Sequence, residues 1–327
     1  MKKKRMAVVG FGFMGVVHAK NILGSQNLEL CGIVDNRAGD IFAGLANTGN
    51  QGALDLPLDR LKQAPVFKTL EECVAGARPD AAALCVPLFL HHALAKKALE
   101  FGLDVLLEKP FCPEPAQCRE LIDLAGRLGR ILMVAHCVRF SPAWEFLAGR
   151  IRDKRHGELR MLTMTRMGGE PAWGVWKDAK IKGTCGGALM DMLIHDLDFV
   201  DFALGRPDDV KLNLNIGEYW EVALGFGGQP RHVSVNGGFL WRNSPFSSQY
   251  AATFEDASLR FNSLQPAAVQ IGTNKGLESV ALPGDGYARE LEYFAGCVEA
   301  RRQPERCPPS ASLRAIEICR LIRDMAR

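Results

Sequence analysis

The chain has no C-x-x-C pair, no apolar run long enough to span a bilayer, no internal repeat and no excess of charge of either sign. Each absence removes a class of function. Forty basic residues against 37 acidic ones leave a net charge of +3, so nothing draws the chain as a whole to nucleic acid or to an anionic membrane. Without paired cysteines, or a second histidine at ligand spacing from the one singled out below, no metal site is expected. The ten cysteines, at 31, 73, 85, 112, 118, 137, 185, 297, 307 and 319, stand mostly in apolar surroundings. They are expected as buried, reduced thiols of a cytoplasmic protein. Met1-Lys2-Lys3-Lys4-Arg5 and the apolar residues after it begin like a signal peptide, but three glycines cut the apolar part, which argues against export. With 327 residues, 47% hydrophobic and 24% charged, the chain has the composition of a soluble globular protein of two domains. Catalysis or small-molecule binding is the default expectation.

What is present is organised around Val8-Val9-Gly10-Phe11-Gly12-Phe13-Met14-Gly15. An apolar strand runs into a G-x-G-x-x-G turn, and a helical pattern follows through Val16, Val17, Ala19, Ile22 and Leu23. Such a turn is built for a pyrophosphate. Gly10 permits the tight turn, Gly12 lets the backbone approach the phosphates, and Gly15 lets helix and strand pack closely. The first N–H groups of the helix, at Phe13, Met14 and Gly15, point at the anion. Asp35 closes the next apolar segment, twenty residues past Gly15, where a carboxylate can accept hydrogen bonds from a ribose diol. It favours NAD. Arg37, two residues on, lies close enough to accommodate a 2′-phosphate, so NADP is also possible.

Further along, a helix is predicted from Thr69 as N-cap, with Glu71 and Glu72 in its first turn. Apolar strands at 81–86, 104–107 and 131–135 alternate with helices, the mark of a parallel sheet covered on both faces. Gly10, Asp35, Pro87 and Lys109 all fall at carboxyl ends of such strands, where ligands bind. Residues 1–137 therefore read as an α/β Rossmann domain. Past 138 the texture changes. Strands are predicted at 159–167, 210–215, 220–226, 231–241, 250–254 and 258–261, with one long helix over 187–204 between the first two and two helices at the end. Residues 138–327 read as an α+β domain with an open, mostly antiparallel sheet.

The long helix is apolar on most sides, and against that background Asp191, His195 and Asp198 recur at i, i+4 and i+7, which stacks them on one face. A carboxylate one turn from an imidazole suits proton transfer near neutral pH. The alternative is a satisfied core histidine near an acidic helix start. Lys109, fixed between a buried strand and Pro110, could donate a hydrogen bond to an alcohol or carbonyl oxygen, or be a solvated lysine. Just before the helix, Trp173 and Trp176 could stack on a sugar face, and Lys177 and Lys180 could meet a carboxylate or phosphate. The alternative there is a loop anchored by its tryptophans.

Five motifs stand in order: Gly10-x-Gly12-x-x-Gly15, Pro87-x-x-x-His91, Glu108-Lys109-Pro110, Arg139-Phe140-Ser141-Pro142, and Gly186-Gly187-x-x-x-Asp191-x-x-x-His195-Asp196-x-Asp198. In type, order and spacing they resemble the Gfo/Idh/MocA oxidoreductase family over nearly the whole chain. The resemblance implies a Rossmann domain for NAD or NADP, and an open sheet that carries substrate and often forms the subunit interface, hence a homodimer or homotetramer. It implies Lys109, Asp191 and His195 as catalytic residues. It further implies cofactor contacts from the glycine turn, Asp35, Arg37, Pro87, His91, Glu108 and Lys109, substrate contacts from Arg139, Asp191 and His195, and a Lys109-Pro110 bond that is often cis. The sequence departs from the pattern at Cys185, Leu193 and Ser141, which bears on the identity of the substrate. The expected reaction is reversible oxidation of a secondary alcohol on a sugar, cyclitol, sugar acid or nucleotide sugar. Two other readings stand beside it: a cofactor-sensing regulatory protein without turnover, and a dinucleotide-binding subunit whose sheet serves assembly.

Overall fold

The computed structural model describes residues 3–37, 40–43, 56–171, 186–230, 232–239, 245–265 and 268–327. The chain divides into two compact units. The first comprises Met1–Cys137 and Tyr287–Leu313, and the second Val138–Glu170, Gly186–Gly286 and Arg314–Arg327.

The first unit is built on six parallel strands: β1 (Lys4–Val9), β2 (Leu28–Val34), β3 (Val66–Phe67), β4 (Ala81–Leu84), β5 (Asp104–Glu108) and β6 (Leu132–Ala135). Their spatial order is β3-β2-β1-β4-β5-β6. The order reverses between β1 and β4, which opens a ligand crevice at the carboxyl ends there. Residues 81–84 and 104–108 are buried throughout, as strands covered on both faces must be. The covering helices are α1 (Phe13–Gly24), the short α2 (Leu58–Leu61), α3 (Leu70–Ala77), α4 (His91–Glu100) and α5 (Pro115–Leu128). Thr69 caps α3 as expected, its Oγ1 accepting the Glu72 N–H at 3.2 Å.

In the second unit, α6 (Pro142–Asp153) leads into β7 (Leu159–Met167). The helix bearing the predicted catalytic pair opens with a π turn, Leu189–Leu193, and continues as α7 (Ile194–Leu204). Strands β8 (Asp209–Ile216), β9 (Tyr219–Gly225), β10 (His232–Gly238), β11 (Ser247–Phe254), β12 (Ser258–Asn262), β13 (Ala268–Thr273) and β14 (Gly276–Ala281) complete the sheet. Its order is β14-β13-β12-β11-β7-β10-β9-β8, antiparallel except for the β7–β10 pair. Alternation sets its faces: Leu162, Met164, Val233, Val235, Tyr250 and Ala252 are buried on one side. Trp144 on α6 packs edge-on against Tyr250 and Phe261 on that side.

Near the end of the chain, α8 (Gly286–Ala300) and the stretch to residue 313 lie on the first unit. Asn27 donates to Glu292 at 2.7 Å, Gln303 donates to the Arg130 carbonyl at 3.0 Å, and Arg301 pairs with the buried Asp104. Helix α9 (Pro309–Met325) closes the chain. The nine described cysteines are free. Burial pushes the thiol of Cys31 up to about 12 and that of Cys73 to about 11. Among the described residues no helix is long and apolar enough to cross a membrane.

Candidate functional site

The three glycines of the turn are explained in two different ways. Gly10 has φ +85°, and a Cβ there would run into the Cys85 carbonyl. A Cβ on Gly15 would run into the carbonyl of Gly10. Both are required by the protein's own packing. Gly12 is not: its φ is −77°, and a Cβ would meet nothing within 4 Å. The space over Gly12 fits the close approach of a pyrophosphate. α1 starts immediately after it with no side-chain cap, so the first-turn N–H groups of Phe13, Met14 and Gly15 have no intrahelical partner. The donor set suits an anion.

Asp35 sits beside this turn at the end of β2, 8% exposed. Its carboxylate accepts the Phe11 N–H at 2.8 Å, the Arg37 N–H at 3.0 Å, and Arg37 Nε and Nη2 at 2.8 and 2.9 Å. Arg37 Nη2 also donates to the Phe11 carbonyl at 2.8 Å. Burial raises the pKa of Asp35, but the hydrogen bonds from Arg37 and Phe11 outweigh it and hold the carboxyl below its ordinary value. The turn, Asp35 and Arg37 are thus one assembly, with Arg37 lying across the carboxylate.

Two residues expected at the cofactor, His91 and Glu108, are buried and bonded within the first unit. His91, at the start of α4, is 1% exposed. Its Nδ1 lies 2.8 Å from the Pro110 carbonyl and its Nε2 lies 2.9 Å from the Val86 carbonyl. Burial pushes its pKa down, against the opposite pull of the carbonyls and Glu108. It ties the loop after β4, which contains Pro87, to the turn after β5. Glu108 is buried at the end of β5, where His18 Nε2 on α1 lies 2.8 Å from Oε1 and the Lys109 N–H donates to Oε2 at 3.2 Å. Both residues brace the carboxyl end of the sheet through these bonds. Lys109 itself is half-buried, and the Lys109-Pro110 bond is cis.

On the second unit, Gly186 and Gly187, with φ +75° and +66°, lead into the helix. The Glu218 carboxylate, in the turn between β8 and β9, accepts the Ala188 N–H at 2.7 Å. Asp191 and His195 are half-buried. Asp198 does not share their setting. It is fully buried, receiving Arg139 Nε and Nη2 at 2.7 Å each. Arg139, for which the sequence suggested a substrate contact, is 1% exposed, with its guanidinium over the Phe202 ring. Asp196 is likewise buried and takes Arg166 Nε and Nη2 at 2.9 and 2.8 Å. Asp201 takes Arg314 Nε and Nη2 at 2.9 and 2.7 Å. Sequence spacing gave no sign of the Arg166 and Arg314 pairs. Among Asp191, His195, Asp196, Asp198 and Asp201, Asp191 and His195 are the two that are half-buried rather than buried. Trp173, Trp176, Lys177, Lys180 and Cys185 lie outside the described residues.

Comparison with known proteins agrees with this geometry. Residues 4–136 match the family described as "Oxidoreductase family, NAD-binding Rossmann fold" (GFO_IDH_MocA), and residues 144–224 match the GFO/IDH/MocA C-terminal domain. The chain is 29% identical over 261 residues to a D-glucoside 3-dehydrogenase of Escherichia coli (strain K12), covering 74% of this chain and 70% of the relative. It is 25% identical over 320 residues to an inositol 2-dehydrogenase of Rhizobium meliloti (strain 1021), covering 90% and 88%. In structure it is similar to a UDP-N-acetylglucosamine 3-dehydrogenase from Acidithiobacillus ferrooxidans, with a TM-score of 0.78, 22% identity, and 99% and 98% of the two chains covered.

Proposed function

The chain belongs to the GFO/IDH/MocA oxidoreductase family, and from that premise we propose that it oxidises a secondary alcohol of a sugar, cyclitol, sugar acid or nucleotide sugar, reversibly, with NAD. One observation carries the reading. Lys109 stands half-buried at the carboxyl end of β5 in an NAD-binding sheet, while Asp191 and His195, both half-buried, lie one helical turn apart just before Asp196, Asp198 and Asp201, which are held in ion pairs.

A bound nicotinamide supplies a hydride acceptor. The chain's own residues do the rest. His195 takes the hydroxyl proton as the alcohol carbon gives up its hydride and becomes a carbonyl. Lys109 donates an N–H to the same oxygen and stabilises the negative charge that develops on it. Asp191 orients the imidazole or holds a neighbouring hydroxyl. Asp35 repels a 2′-phosphate and favours NAD, while Arg37, already lying on that carboxylate, is the group that would meet one. The names of the relatives, a glucoside dehydrogenase, an inositol dehydrogenase and a UDP-sugar dehydrogenase, support a polyhydroxylated ring as substrate.

The test is a spectrophotometric screen in which NAD and NADP are each offered with inositols, aldoses, glucosides, sugar acids and nucleotide sugars. His195→Ala and Lys109→Met should lower turnover about a hundredfold to ten-thousandfold, the scale of a lost general base, while His195→Ala still binds NADH. Unchanged turnover in both variants would sink the assignment. Tight NADH binding with no turnover of any compound would move the reading to a cofactor-sensing regulator.

A further inference from the structure

Three carboxylates on α7, at Asp196, Asp198 and Asp201, are 1%, 0% and 5% exposed. Each is gripped by the fork of an arginine from a different part of the second unit: Arg166 on β7, Arg139 just before α6, and Arg314 on α9. The partners are 30, 59 and 113 residues away along the chain. At about 100° per residue, Asp196 projects about 100° to one side of His195, and Asp198 and Asp201 about 60° and 120° to the other. The helix is therefore held on both flanks of its histidine. A bidentate guanidinium–carboxylate pair is planar and fixed in direction, so a turn of the helix either way distorts one of them. The guanidinium of Arg166 is itself set over the rings of Trp144 and Phe246 at 5.9 and 5.8 Å, and that of Arg139 over Phe202 at 5.0 Å.

Stability alone does not account for three such pairs, because replacing a buried ion pair by apolar groups of similar volume is often neutral. The stretch just before His195 adds a reason for them. The π turn of Leu189–Leu193, with the Ile194 N–H donating to the Leu189 carbonyl, breaks the α-helical phase on one side of the histidine. Register is then set from the other side, where the three carboxylates lie.

We propose that Arg166, Arg139 and Arg314 are positioning residues which, through Asp196, Asp198 and Asp201, fix the rotation of α7 and hence the aim of His195. The proposal rests on the reading of His195 as the base. It is tested in the full chain with the double variant Arg166→Met/Asp196→Leu, which removes both partners of one flank of the grip together. Melting temperature and the NADH dissociation constant should stay as in the parent. The His195 ring should move in its nitrogen chemical shifts and titration midpoint, followed by NMR on histidine-labelled protein with the signal assigned from His195→Gln. Turnover of the alcohol found in the screen should fall between about tenfold and a hundredfold with KM little changed, the scale of a misplacement near 1 Å. A folded variant with the His195 signal and turnover both unchanged overturns the proposal. If the double variant fails to fold, Arg166→Lys keeps the charge but loses the fork, and the same two readouts decide. If the parent protein turns over nothing, the proposed function fails, and the His195 signal still decides the positioning role.

Discussion

Gly12 and Gly15 are three residues apart, yet one is left bare by the protein and the other is filled by it. Gly12→Ala should therefore fold with an unchanged melting temperature but bind NADH about tenfold or more weakly, a loss of roughly 1.4 kcal/mol, read by fluorescence titration. Gly15→Ala should instead lower the melting temperature whether or not cofactor is present, because its methyl group would occupy the place of the Gly10 carbonyl. Equal behaviour of the two variants would show that the space over Gly12 is not a ligand's. The close packing at Gly15 was legible in the sequence because G-x-G-x-x-G specifies backbone geometry, which spacing encodes directly. The Asp35 carboxylate was legible in position but not in its partners. Nothing in the order Asp35-Asn36-Arg37 says that the guanidinium folds back to take both oxygens. His91 and Glu108 stand at the strand ends where the sequence puts them, but their bonds to the Pro110 and Val86 carbonyls and to His18 were not legible, since a motif names the neighbourhood of a side chain and not its partners.

Among the elements, the Rossmann strands and Thr69-capped α3 could be read from apolar runs and cap chemistry, both local signals. β13 and β14 were missed. They lie toward one edge of the second sheet, where β14 is almost wholly exposed and so carries little of the alternation that betrays a half-buried strand. The π turn at Leu189–Leu193 was invisible for a related reason: a periodicity reading assumes one pitch throughout the helix. The three arginine–aspartate pairs are joined across 30 to 113 residues, and no short-range pattern says which arginine finds which aspartate. A shorter link is decisive for the first unit. His18 ties α1 to β5 through Glu108, with both side chains nearly without exposure. His18→Ala would leave the Glu108 carboxylate buried without this partner. It should destabilise the protein by about 1.5–3 kcal/mol, the scale of a hydrogen bond to a charged group, measured by calorimetry, and His18→Gln, whose amide can donate to the same oxygen, should recover part of it. A His18→Ala protein as stable as the parent would mean that the pair contributes little to holding α1 in place.

At the scale of the molecule, the second sheet has one face lined by the core and another carrying Met161, Thr163, Thr165, Asn236, Gln249, Ala251 and Thr253, intermediate to exposed in every case. Thr165 donates to Asn236 across β7 and β10 at 2.9 Å, and the row of half-exposed side chains on this face is a candidate for pairing with a second copy. We expect a homodimer or homotetramer by light scattering. Placing Arg at Thr163 and at Ala251 should shift the population to monomer, and a parent protein that is already monomeric would remove the sheet from assembly. The change of texture past residue 137 falls where the first stretch of the first unit ends. The return of α8 to the first unit was not, because an amphipathic helix carries no label for the surface it will cover.

That return has a consequence for how the protein is made. A ribosome delivers the strands of the first sheet early, but Glu292, Arg301 and Gln303, which bond to Asn27, Asp104 and Arg130, come more than 150 residues after Cys137. At about 5–20 residues per second, the nascent sheet waits roughly ten to thirty seconds for the segment that closes over it. During that interval Asp104 lacks its arginine and the ground beneath α8 is open to water. The dinucleotide-binding unit is thus begun well before α8 is made and completed only once α8 has been delivered.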